Sequence, residues 1–367
     1  MSLGPLPEYP WDAVAPYRER AASHPGGLVD LSIGSPVDPV PEIARRALAE
    51  AADAHAYPTT QGSPASRRAV AEWFARRRGV PGLDVDDALL TVGSKEFVAT
   101  TAFFLGLGAG DTIVQPPAAY PTYAMGAAFA GAAIASVDDP DEWPETTRLV
   151  WLNSPGNPDG RVLDRAALRR AVERARELGA IVVSDECYAE LGWGRWADEP
   201  VPSLLDPDVT GGDLTGLIAC SSLSKRSNLA GYRAAYAAGD RALVRRLVTA
   251  RKHAGLIVPA LVQHVVAVVL ADDEHADAQR DRYAARRARL LPAAERFGLR
   301  IEGSDAGLYL WGTRDEDAWA TLGALADRGV LAGPGPFYGE AGARFVRLSI
   351  TASDERIAEA ARRLAED

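Results

Sequence analysis

The sequence predicts an α/β fold in which a parallel sheet is covered by helices on both faces, followed by a smaller α+β region. From about residue 42 to 240, short apolar runs alternate with helical patterns. The runs are continuously apolar, which is typical of parallel strands that are buried on both sides. After residue 240 the pattern becomes mostly helical. Because 367 residues exceed one ordinary core, two packed regions are expected.

Apolar runs bounded by turn residues predict the strands of the main sheet, at 88–92, 112–114, 148–152, 180–184 and 217–220. Helical patterns lie between them, at 64–78, 96–107 and 164–178. Ligands of such a sheet bind in loops at the carboxyl ends of the strands. The glycine-rich residues 106–110 follow a helix and precede a strand, the reverse of a dinucleotide-binding loop, and predict a plain turn.

The last third of the chain predicts a smaller α+β domain that is reached through a long helix. Helical patterns cover 241–270 and 273–297, and strand-like and helical runs then alternate at 308–311, 315–328, 345–350 and 354–365. The N-terminal residues are rich in proline and aromatics, which predicts an arm. The expected division is an arm over 1–35 that packs with the small domain, a large domain over 36–245, and a linking helix with the small domain over 246–367.

The composition argues against nucleic-acid, metal and membrane binding. The net charge is −10 and the pI is about 5.2, whereas binding a phosphate backbone needs a basic face. Cys187 and Cys220 lie in apolar contexts typical of core thiols, and the histidines lack metal-ligand spacing, so no metal site is expected. Without a signal-peptide pattern, and with the most apolar stretch (254–270) short and interrupted, a cytoplasmic protein is expected.

Lysine is rare in this chain, which has three lysines and, by subtraction from 40 basic residues, thirty-seven arginines. Lys225 lies just past the apolar run 217–220. A lysine held among apolar walls and other cations loses affinity for its proton, and its free amine then attacks an aldehyde. Arginine stays protonated and cannot do this. Lys225 is therefore a candidate for covalent catalysis, with a solvated or ion-paired lysine as the alternative; Lys95 and Lys252 are its rivals.

Polar side chains follow the neighbouring predicted strands. Asp185 comes at the end of the run 180–184, where an acid needs a cation or a donor, either an ion-pair partner or a protonated ring nitrogen. Tyr188 follows three residues later and directs its hydroxyl into the same space. Asn157 lies in a turn-rich loop after the run 148–152, where its amide donates to a ligand oxygen or merely belongs to a plain loop.

Three further places predict anion binding. Residues 93–96 (Gly-Ser-Lys-Glu) follow a strand and open a helix, so Ser94 and the first amide N–H groups suit a phosphate, with an ordinary capped helix as the alternative. Ser222 and Arg233 flank Lys225 and supply the hydroxyl and guanidinium that a phosphate requires. Arg347 lies in an apolar run and needs an anion, either a substrate carboxylate or an internal ion pair.

The chain resembles the class I/II aminotransferases of fold type I, which use pyridoxal 5′-phosphate, in an ordered set of motifs. The set is a phosphate loop, Asn-Pro-x-Gly, Asp-x-x-Tyr, Ser-x-x-Lys with an arginine eight residues later, and a late strand arginine. The resemblance runs from about Leu31 to the C-terminal helix. It implies a large cofactor-binding domain whose mostly parallel seven-stranded sheet is sandwiched by helices, a smaller α+β domain, and a homodimer with shared active sites.

The resemblance assigns catalytic roles around the cofactor ring. Lys225 matches the lysine that forms the Schiff base and then acts as general acid and base. Asp185 matches the partner of the pyridine nitrogen, which keeps the ring protonated as an electron sink. Asn157 and Tyr188 match the donors to the ring's 3′ oxygen, and Tyr120 matches the aromatic side chain that stacks on the ring.

The resemblance also implies a phosphate cradle and a carboxylate pocket. The cradle residues are Ser94, Lys95, Ser222 and Arg233. Tyr57 resembles the tyrosine that reaches the phosphate of the neighbouring subunit. Arg347 matches the arginine that grips the substrate α-carboxylate, and Gly34 resembles the glycine that lines this pocket. Residues 307–311 occupy the place of a conventional pocket wall, with Ala306 where relatives carry a glycine.

The motifs also predict a substrate. Residues 93–96 and 224–231 resemble the N-succinyl-diaminopimelate aminotransferases of bacterial lysine biosynthesis more than the aspartate enzymes. The expected reaction exchanges an amino group between N-succinyl-LL-2,6-diaminopimelate and 2-oxoglutarate, with Arg18 and Arg314 as candidates for the distal carboxylate. The alternatives are an aminotransferase for aspartate or another amino acid, and a carbon–sulfur lyase using the same Lys225 and Asp185. A binding module without turnover is disfavoured because every cofactor-contacting residue type is present.

Overall fold

The structure is a computed structural model that describes residues 10–366, so the first nine residues of the predicted arm lie outside the described residues. The helices are α1 (Ala15–Ala22), α2 (Glu42–Glu50), α3 (Pro64–Arg78), α4 (Ser94–Phe104), α5 (Thr122–Ala130), α6 (Arg165–Leu178), α7 (Arg195–Asp198), α8 (Pro207–Thr210), α9 (Leu223–Arg226), α10 (Arg241–Ala254), α11 (Ala260–Ala271), α12 (Glu274–Arg296), α13 (Ala318–Asp327) and α14 (Asp354–Ala365). The strands are β1 (Val29–Asp30), β2 (Ala88–Val92), β3 (Thr112–Gln115), β4 (Ala133–Ser136), β5 (Thr147–Asn153), β6 (Ile181–Asp185), β7 (Leu217–Ser222), β8 (Ala234–Gly239), β9 (Arg300–Ile301), β10 (Tyr309–Thr313), β11 (Val330–Leu331), β12 (Gly333–Pro334) and β13 (Phe345–Ser349).

The main sheet has seven strands in the order β2-β8-β7-β6-β5-β3-β4. Only β8 runs antiparallel to its neighbours in this sheet, β2 and β7. The strands are apolar on both sides because helices cover both faces. Leu89 packs with α4, α5 and α10, whereas Leu90, the next residue, packs with α3, α6 and α11. The predicted α/β fold with a mostly parallel sheet sandwiched by helices is confirmed.

The strand register places the functional loops side by side. Asn153 and Asp185, the last residues of β5 and β6, are paired across the sheet. Ser222, which ends β7, pairs with Ala235 near the start of the antiparallel β8. The loops that follow the parallel strands and the loop that precedes β8 therefore meet at one edge.

Local sequence signals explain where the flanking helices begin and end. In α3, Ser63 accepts a hydrogen bond from the Ser66 amide, Pro64 opens the helix, and Gly79 closes it with a φ of 66°. In α6, Asp164 accepts from the Ala167 amide, and Gly179 closes the helix in the same left-handed conformation. These signals set the helix boundaries independently of the packing.

The C-terminal part contains a second sheet, of four antiparallel strands in the order β12-β13-β10-β9. Strand β1 pairs with β11, and Val14, Val29 and Leu31 lie in the same hydrophobic core as this sheet. The core on the α3 side of the main sheet continues through Leu270. The divisions of the chain at residues 35 and 245 stay a prediction.

The region predicted as helical over 241–270 is interrupted. Gly255 adopts a left-handed conformation after α10, and Pro259, which lacks an amide donor, precedes α11. No helix between residues 10 and 366 combines the length and the apolar character needed to cross a membrane. Over the same residues, no three His, Cys, Asp or Glu side chains gather closely enough to hold a metal ion.

Candidate active site

The lysine singled out by the sequence lies in the short helix α9, directly after β7. Ser222 begins this helix, and its Oγ accepts from the Ser224 amide at 3.1 Å. The side chain of Lys225 reaches across to the loop after β1, where Nζ donates to the carbonyl oxygen of Gly34. The amine therefore lies between the strand-end loops of the main sheet and the segment that leads out of β1.

Within residues 10–366, Asp185 is a buried carboxylate without a cationic partner. It is 6 % exposed, Oδ1 accepts from the Cys187 amide at 3.1 Å, and Oδ2 accepts from the Tyr123 hydroxyl at 3.2 Å. Burial raises the pKa of Asp185, although the bonds from Cys187 and Tyr123 oppose this change. Between residues 10 and 366, Asp185 takes part in no ion pair. The internal ion pair considered from the sequence is absent from this part of the chain.

The acids that follow Asp185 differ from it, because each has an arginine partner. Glu186 pairs with Arg78 at 3.1 Å, and both side chains are 1 % exposed. Glu190 pairs with Arg226, next to Lys225, and with Arg77 at 2.8 Å. Burial would raise the pKa of Glu190, but Arg226 and Arg77 outweigh it and lower this pKa. Of these three acids, Asp185 is therefore the one whose negative charge would be balanced by a bound ligand.

The loop after β5 is shaped by Asn153. Its Nδ2 donates to the carbonyl oxygens of Pro155 and Asp185, each at 3.0 Å, and its Oδ1 accepts from the Asn157 amide at 2.8 Å. These bonds hold Asn157 beside the end of β6. The Asn157 side chain is buried, and its Oδ1 accepts from Arg347, so the amide nitrogen remains as the donor.

Arg347 is a buried guanidinium without a carboxylate partner in the described residues. It is 5 % exposed, Nη1 donates to Asn157 Oδ1 at 2.7 Å, and Nη2 donates to the Ser32 carbonyl oxygen at 2.9 Å. The guanidinium carbon lies 3.8 Å from the centre of the Tyr309 ring and 4.8 Å from that of Tyr338. Neutral oxygens and aromatic rings do not neutralise the guanidinium charge, so an external anion can bind to it.

Two aromatic side chains from one segment approach the Asp185 side of the site. Tyr120 and Tyr123 pack edge to face with ring centres 5.8 Å apart, and Tyr123 stacks on Trp151 at 5.0 Å. Burial raises the pKa of Tyr120 to about 12, so its hydroxyl stays protonated. The sequence reasoning missed Tyr123, although its position three residues after Tyr120 at the start of a helix signals a shared face.

The predicted phosphate cradle gathers where β2, β7 and β8 meet. Gly93 has a φ of 80°, and a methyl group added to it would overlap the Arg233 guanidinium, 2.7 Å from its Cζ. The N-terminus of α4 begins at Ser94, so its first amide groups lack intrahelical acceptors. Ser222 is buried at the adjoining strand end, whereas Lys95 is exposed. A guanidinium, hydroxyls and free amides together suit a phosphate.

Some residues named from the sequence lie apart from this cluster. Tyr57 is fully exposed and lines a shallow cavity of about 290 Å³ with Ala260 and Gln263. Arg18 pairs with Asp30 at 2.7 Å, and Arg314 lies 3.4 Å from Glu316. The structure does not bring either arginine to Lys225.

Tyr309 joins the cluster, although the sequence reasoning gave it no role. Its hydroxyl lies 3.3 Å from that of Tyr188, and a methyl group added to Gly34 would overlap it. Tyr309 is separated from Tyr188 by 121 residues, so no local sequence motif predicts their contact. Its place in the predicted pocket wall, over 307–311, is the signal that points to it.

The donor set fits pyridoxal 5′-phosphate. A buried carboxylate without a cation suits a protonated ring nitrogen, and the Arg233 cradle suits a phosphate. Lys225 lies between them and supplies an amine for the aldehyde. The Arg347 guanidinium, which donates to Asn157 and has no carboxylate partner between residues 10 and 366, suits the carboxylate of an amino acid.

Comparisons with known proteins find similarity over nearly the whole chain. The family profile described as aminotransferase class I and II matches residues 27–364. The 4-dedimethylamino-4-oxo-anhydrotetracycline transaminase OxyQ of Streptomyces rimosus is 53 % identical over 360 residues, which cover 98 % of this chain and 99 % of the relative. A probable aminotransferase of Mycobacterium tuberculosis is 49 % identical, covering 98 % of this chain and 85 % of the relative.

A solved structure with the same architecture is described as a probable N-succinyldiaminopimelate aminotransferase from Thermus thermophilus. It superposes with a TM-score of 0.86 at 29 % sequence identity. The match covers 97 % of this chain and 99 % of that one, so the likeness extends over both sheets.

Proposed function

Because the chain belongs to the class I and II aminotransferase family, we propose that it transfers an amino group between N-succinyl-LL-2,6-diaminopimelate and 2-oxoglutarate. The chain is an aminotransferase, and it depends on pyridoxal 5′-phosphate as this family does. The choice of amino donor and the role of each residue are the proposal.

One observation supports the proposed roles most strongly. Asp185 and Arg347 are both buried, both lack an oppositely charged partner among residues 10–366, and both belong to the cluster around Lys225. A bound cofactor with a cationic ring nitrogen and a substrate with an α-carboxylate would balance the two charges. Burying them unpaired is costly in the free protein, which favours a site built for such a pair of ligands.

The cofactor supplies an electron sink that stabilises negative charge at the substrate α-carbon. Asp185 holds the ring nitrogen in its protonated form and thereby strengthens that sink. Arg347 fixes the substrate carboxylate and so directs one α-carbon bond toward the lysine side of the site. The Nζ of Lys225 would take the proton from the substrate α-carbon as general base and later give it back within the same site as general acid.

The side chains around the ring oxygen orient it and limit water access. Asn157 donates through its amide nitrogen, and Tyr188 through its hydroxyl. Tyr188, Tyr309 and Arg347 are nearly buried, so the groups act where charges are weakly screened. Tyr120 would cover one face of the ring, as the family resemblance implies.

Two features support the N-succinyl-diaminopimelate donor. The segments 93–96 and 224–231, which carry the resemblance to those enzymes, lie at the joined strand ends that form the cradle. The solved Thermus relative, whose name includes the same substrate, matches nearly the full length of the chain. The distal carboxylates of this donor require cations. Arg18 and Arg314 do not supply them, because each is already paired with an acid of this chain.

A ring ketone is the second candidate acceptor. The Streptomyces relative, at 53 % identity, carries the name of a tetracyclic oxo compound. On the loop that supplies Gly34, Ile33 and Val37 expose 53 % and 56 % of their surface. Two exposed apolar side chains on this loop, whose Gly34 carbonyl accepts from Lys225, suit a flat polycyclic substrate better than a polyanion.

We also propose a homodimer with shared active sites. Tyr57 is a fully exposed aromatic side chain, and the loop that carries it borders an open cavity with Pro58 and Gln263. Insertion of Tyr57 next to the partner's cradle would bury the ring and give its hydroxyl an acceptor.

A panel of amino donors tests the proposed substrate. With 2-oxoglutarate as acceptor, N-succinyl-LL-2,6-diaminopimelate should give a kcat/KM at least about tenfold above LL-2,6-diaminopimelate, aspartate and alanine, because recognition of the succinyl group adds binding energy. Ping-pong kinetics are expected. A preference for aspartate, or turnover only with a tetracyclic ketone, would refute the donor. Release of ammonia and a 2-oxo acid without any acceptor would identify a lyase.

The carboxylate site is tested with Arg347→Ala. Two charge-assisted hydrogen bonds are lost, so KM should rise roughly 100-fold for every amino donor, with a smaller effect on kcat. Arg347→Lys should recover part of the loss, because it keeps the charge without the planar fork. Arg344→Ala, which removes an exposed arginine directly before the same strand, is the matched control. An unchanged KM in Arg347→Ala places the carboxylate elsewhere.

A further inference from the structure

A pair of tyrosine hydroxyls lies beside the reactive lysine. The hydroxyl oxygens of Tyr188 and Tyr309 are 3.3 Å apart, and their rings meet edge to face with centres separated by 5.8 Å. Both side chains are nearly buried, at 7 % and 5 % exposure. Either oxygen can be the donor as far as distance is concerned. The surroundings of the two phenols decide the direction.

We propose that Tyr309 is a positioning residue whose hydroxyl donates to the Tyr188 oxygen and thereby turns the Tyr188 proton toward the 3′ oxygen of the cofactor ring. The inference rests on the cofactor site of the proposed function and does not depend on which amino donor is used. It gives Tyr309 a role in tuning the ring, distinct from that of an inert pocket wall.

The charges around the pair favour this direction. The Arg347 guanidinium lies 3.8 Å from the centre of the Tyr309 ring. Among residues 10–366, no guanidinium covers the ring of Tyr188 in this way. A cation on the ring face withdraws electron density from the phenol and makes its hydroxyl the better donor, so Tyr309 donates and Tyr188 accepts. A phenol has one proton, and that of Tyr188 is left for another acceptor.

The backbone at Gly34 holds Tyr309 in this position. A methyl group added to Gly34 would overlap the Tyr309 hydroxyl and would lie 2.7 Å from its Cζ and Cε1. The opposite constraint comes from Arg347, which covers the ring face. The carbonyl oxygen of the same Gly34 accepts a hydrogen bond from Lys225, so Gly34 contacts both the tyrosine pair and the lysine.

The arrangement has a spectroscopic consequence. With the cofactor bound on Lys225, the Tyr188 hydroxyl and the Asn157 amide would donate to the 3′ oxygen whether or not Nζ of Lys225 carries a proton. Once that proton is lost, the 3′ oxygen would depend on these two protein donors for its stabilisation. Donation by Tyr188 therefore stabilises the unprotonated form more, and weakening this donation raises the pH at which the visible band titrates.

The test is a pH titration of the visible absorption of the cofactor-loaded enzyme without substrate. Tyr188→Phe should raise the midpoint by about one pH unit, and Tyr309→Phe should raise it by about half a unit, because it removes only the supporting bond. Tyr338→Phe is the matched control, because Tyr338 is equally buried and also faces Arg347 but has no hydrogen bond to Tyr188. Its midpoint should match that of the wild type.

Two results would overturn the inference. One is a wild-type midpoint in Tyr309→Phe while Tyr188→Phe is shifted. The other is an equal shift in Tyr309→Phe and Tyr338→Phe, which would trace the effect to the field around Arg347. Gly34→Ala, which displaces the Tyr309 hydroxyl, should move the midpoint upward as Tyr309→Phe does. Since no substrate is present, a wrong amino donor leaves these readouts unaffected.

Discussion

Replacing Lys225 with alanine should lower kcat at least about 1000-fold, the largest loss expected from any single substitution in this enzyme. The change removes both the covalent attachment of the cofactor and the group that moves the α-proton. The Asp185 and Arg233 ends of the site stay intact, so the variant should still bind pyridoxal 5′-phosphate. Its visible band should resemble that of the free aldehyde. Steady-state kinetics and an absorption spectrum of the purified variant measure the two effects.

Lys252→Ala is the matched control for this substitution. Lys252 lies exposed in the last turn of α10, and the change removes the same side chain from a helix that carries no predicted site residue. Its kcat and spectrum should be those of the wild type. Full activity in Lys225→Ala, or loss of the band in Lys252→Ala, would mean that the reactive lysine has been misidentified.

The second large effect is expected for Asp185→Asn, which keeps the shape of the side chain and removes its charge. Without a carboxylate, the ring nitrogen loses its stabilising anion, and kcat should fall by roughly 100-fold to 1000-fold. KM should change less, because the carboxylate fork at Arg347 is untouched. Normal turnover in this variant would show that the ring nitrogen has another partner.

The same substitution should have the opposite effect on the cofactor-free protein. Because burial raises the folded-state pKa of Asp185, its protonated form stabilises the fold at low pH, and this contribution is lost as the pH rises through that pKa. At about pH 7, cofactor-free Asp185→Asn should therefore have a Tm equal to or above that of the wild type, with the difference shrinking toward about pH 4. Adding cofactor should raise Tm less in the variant.

Thermal melts with and without cofactor measure both differences. A cofactor-free variant that melts well below the wild type at neutral pH would contradict the interpretation of Asp185 as an unpaired buried charge. An equal cofactor-induced rise in Tm in both proteins would contradict its contact with the ring.

The fold was predictable from the sequence wherever strands are continuously apolar. Two strands of the main sheet were not predicted, for different reasons. Strand β8 consists mostly of alanine around Tyr236, and alanine has little preference for strands, so only its pairing with β2 and β7 reveals it. Strand β4 has only four residues, two of them alanine, and lies largely exposed at the edge of the sheet, so the sequence does not separate it from the alanine-rich helix before it. Tertiary pairing decides both.

The candidate site was predictable where one residue type carries unusual chemistry. A lone lysine after a strand and an acid at a strand end stand out locally, and the structure places Lys225 and Asp185 at the same edge of the sheet. The contacts of Tyr123 with Asp185 and of Tyr309 with Tyr188 span 62 and 121 residues. Such distances are set by the packing of separate elements, which no local pattern describes.

The scarcity of lysine allows a direct test of the site. Borohydride reduction of the loaded enzyme fixes the cofactor on the nitrogen that holds it, and peptide mapping by mass spectrometry then locates the added mass on Lys95, Lys225 or Lys252. The structure predicts the label on the Lys225 peptide alone. Label on the Lys95 or Lys252 peptide, or no label on a lysine at all, would contradict the assignment on which the proposed chemistry depends.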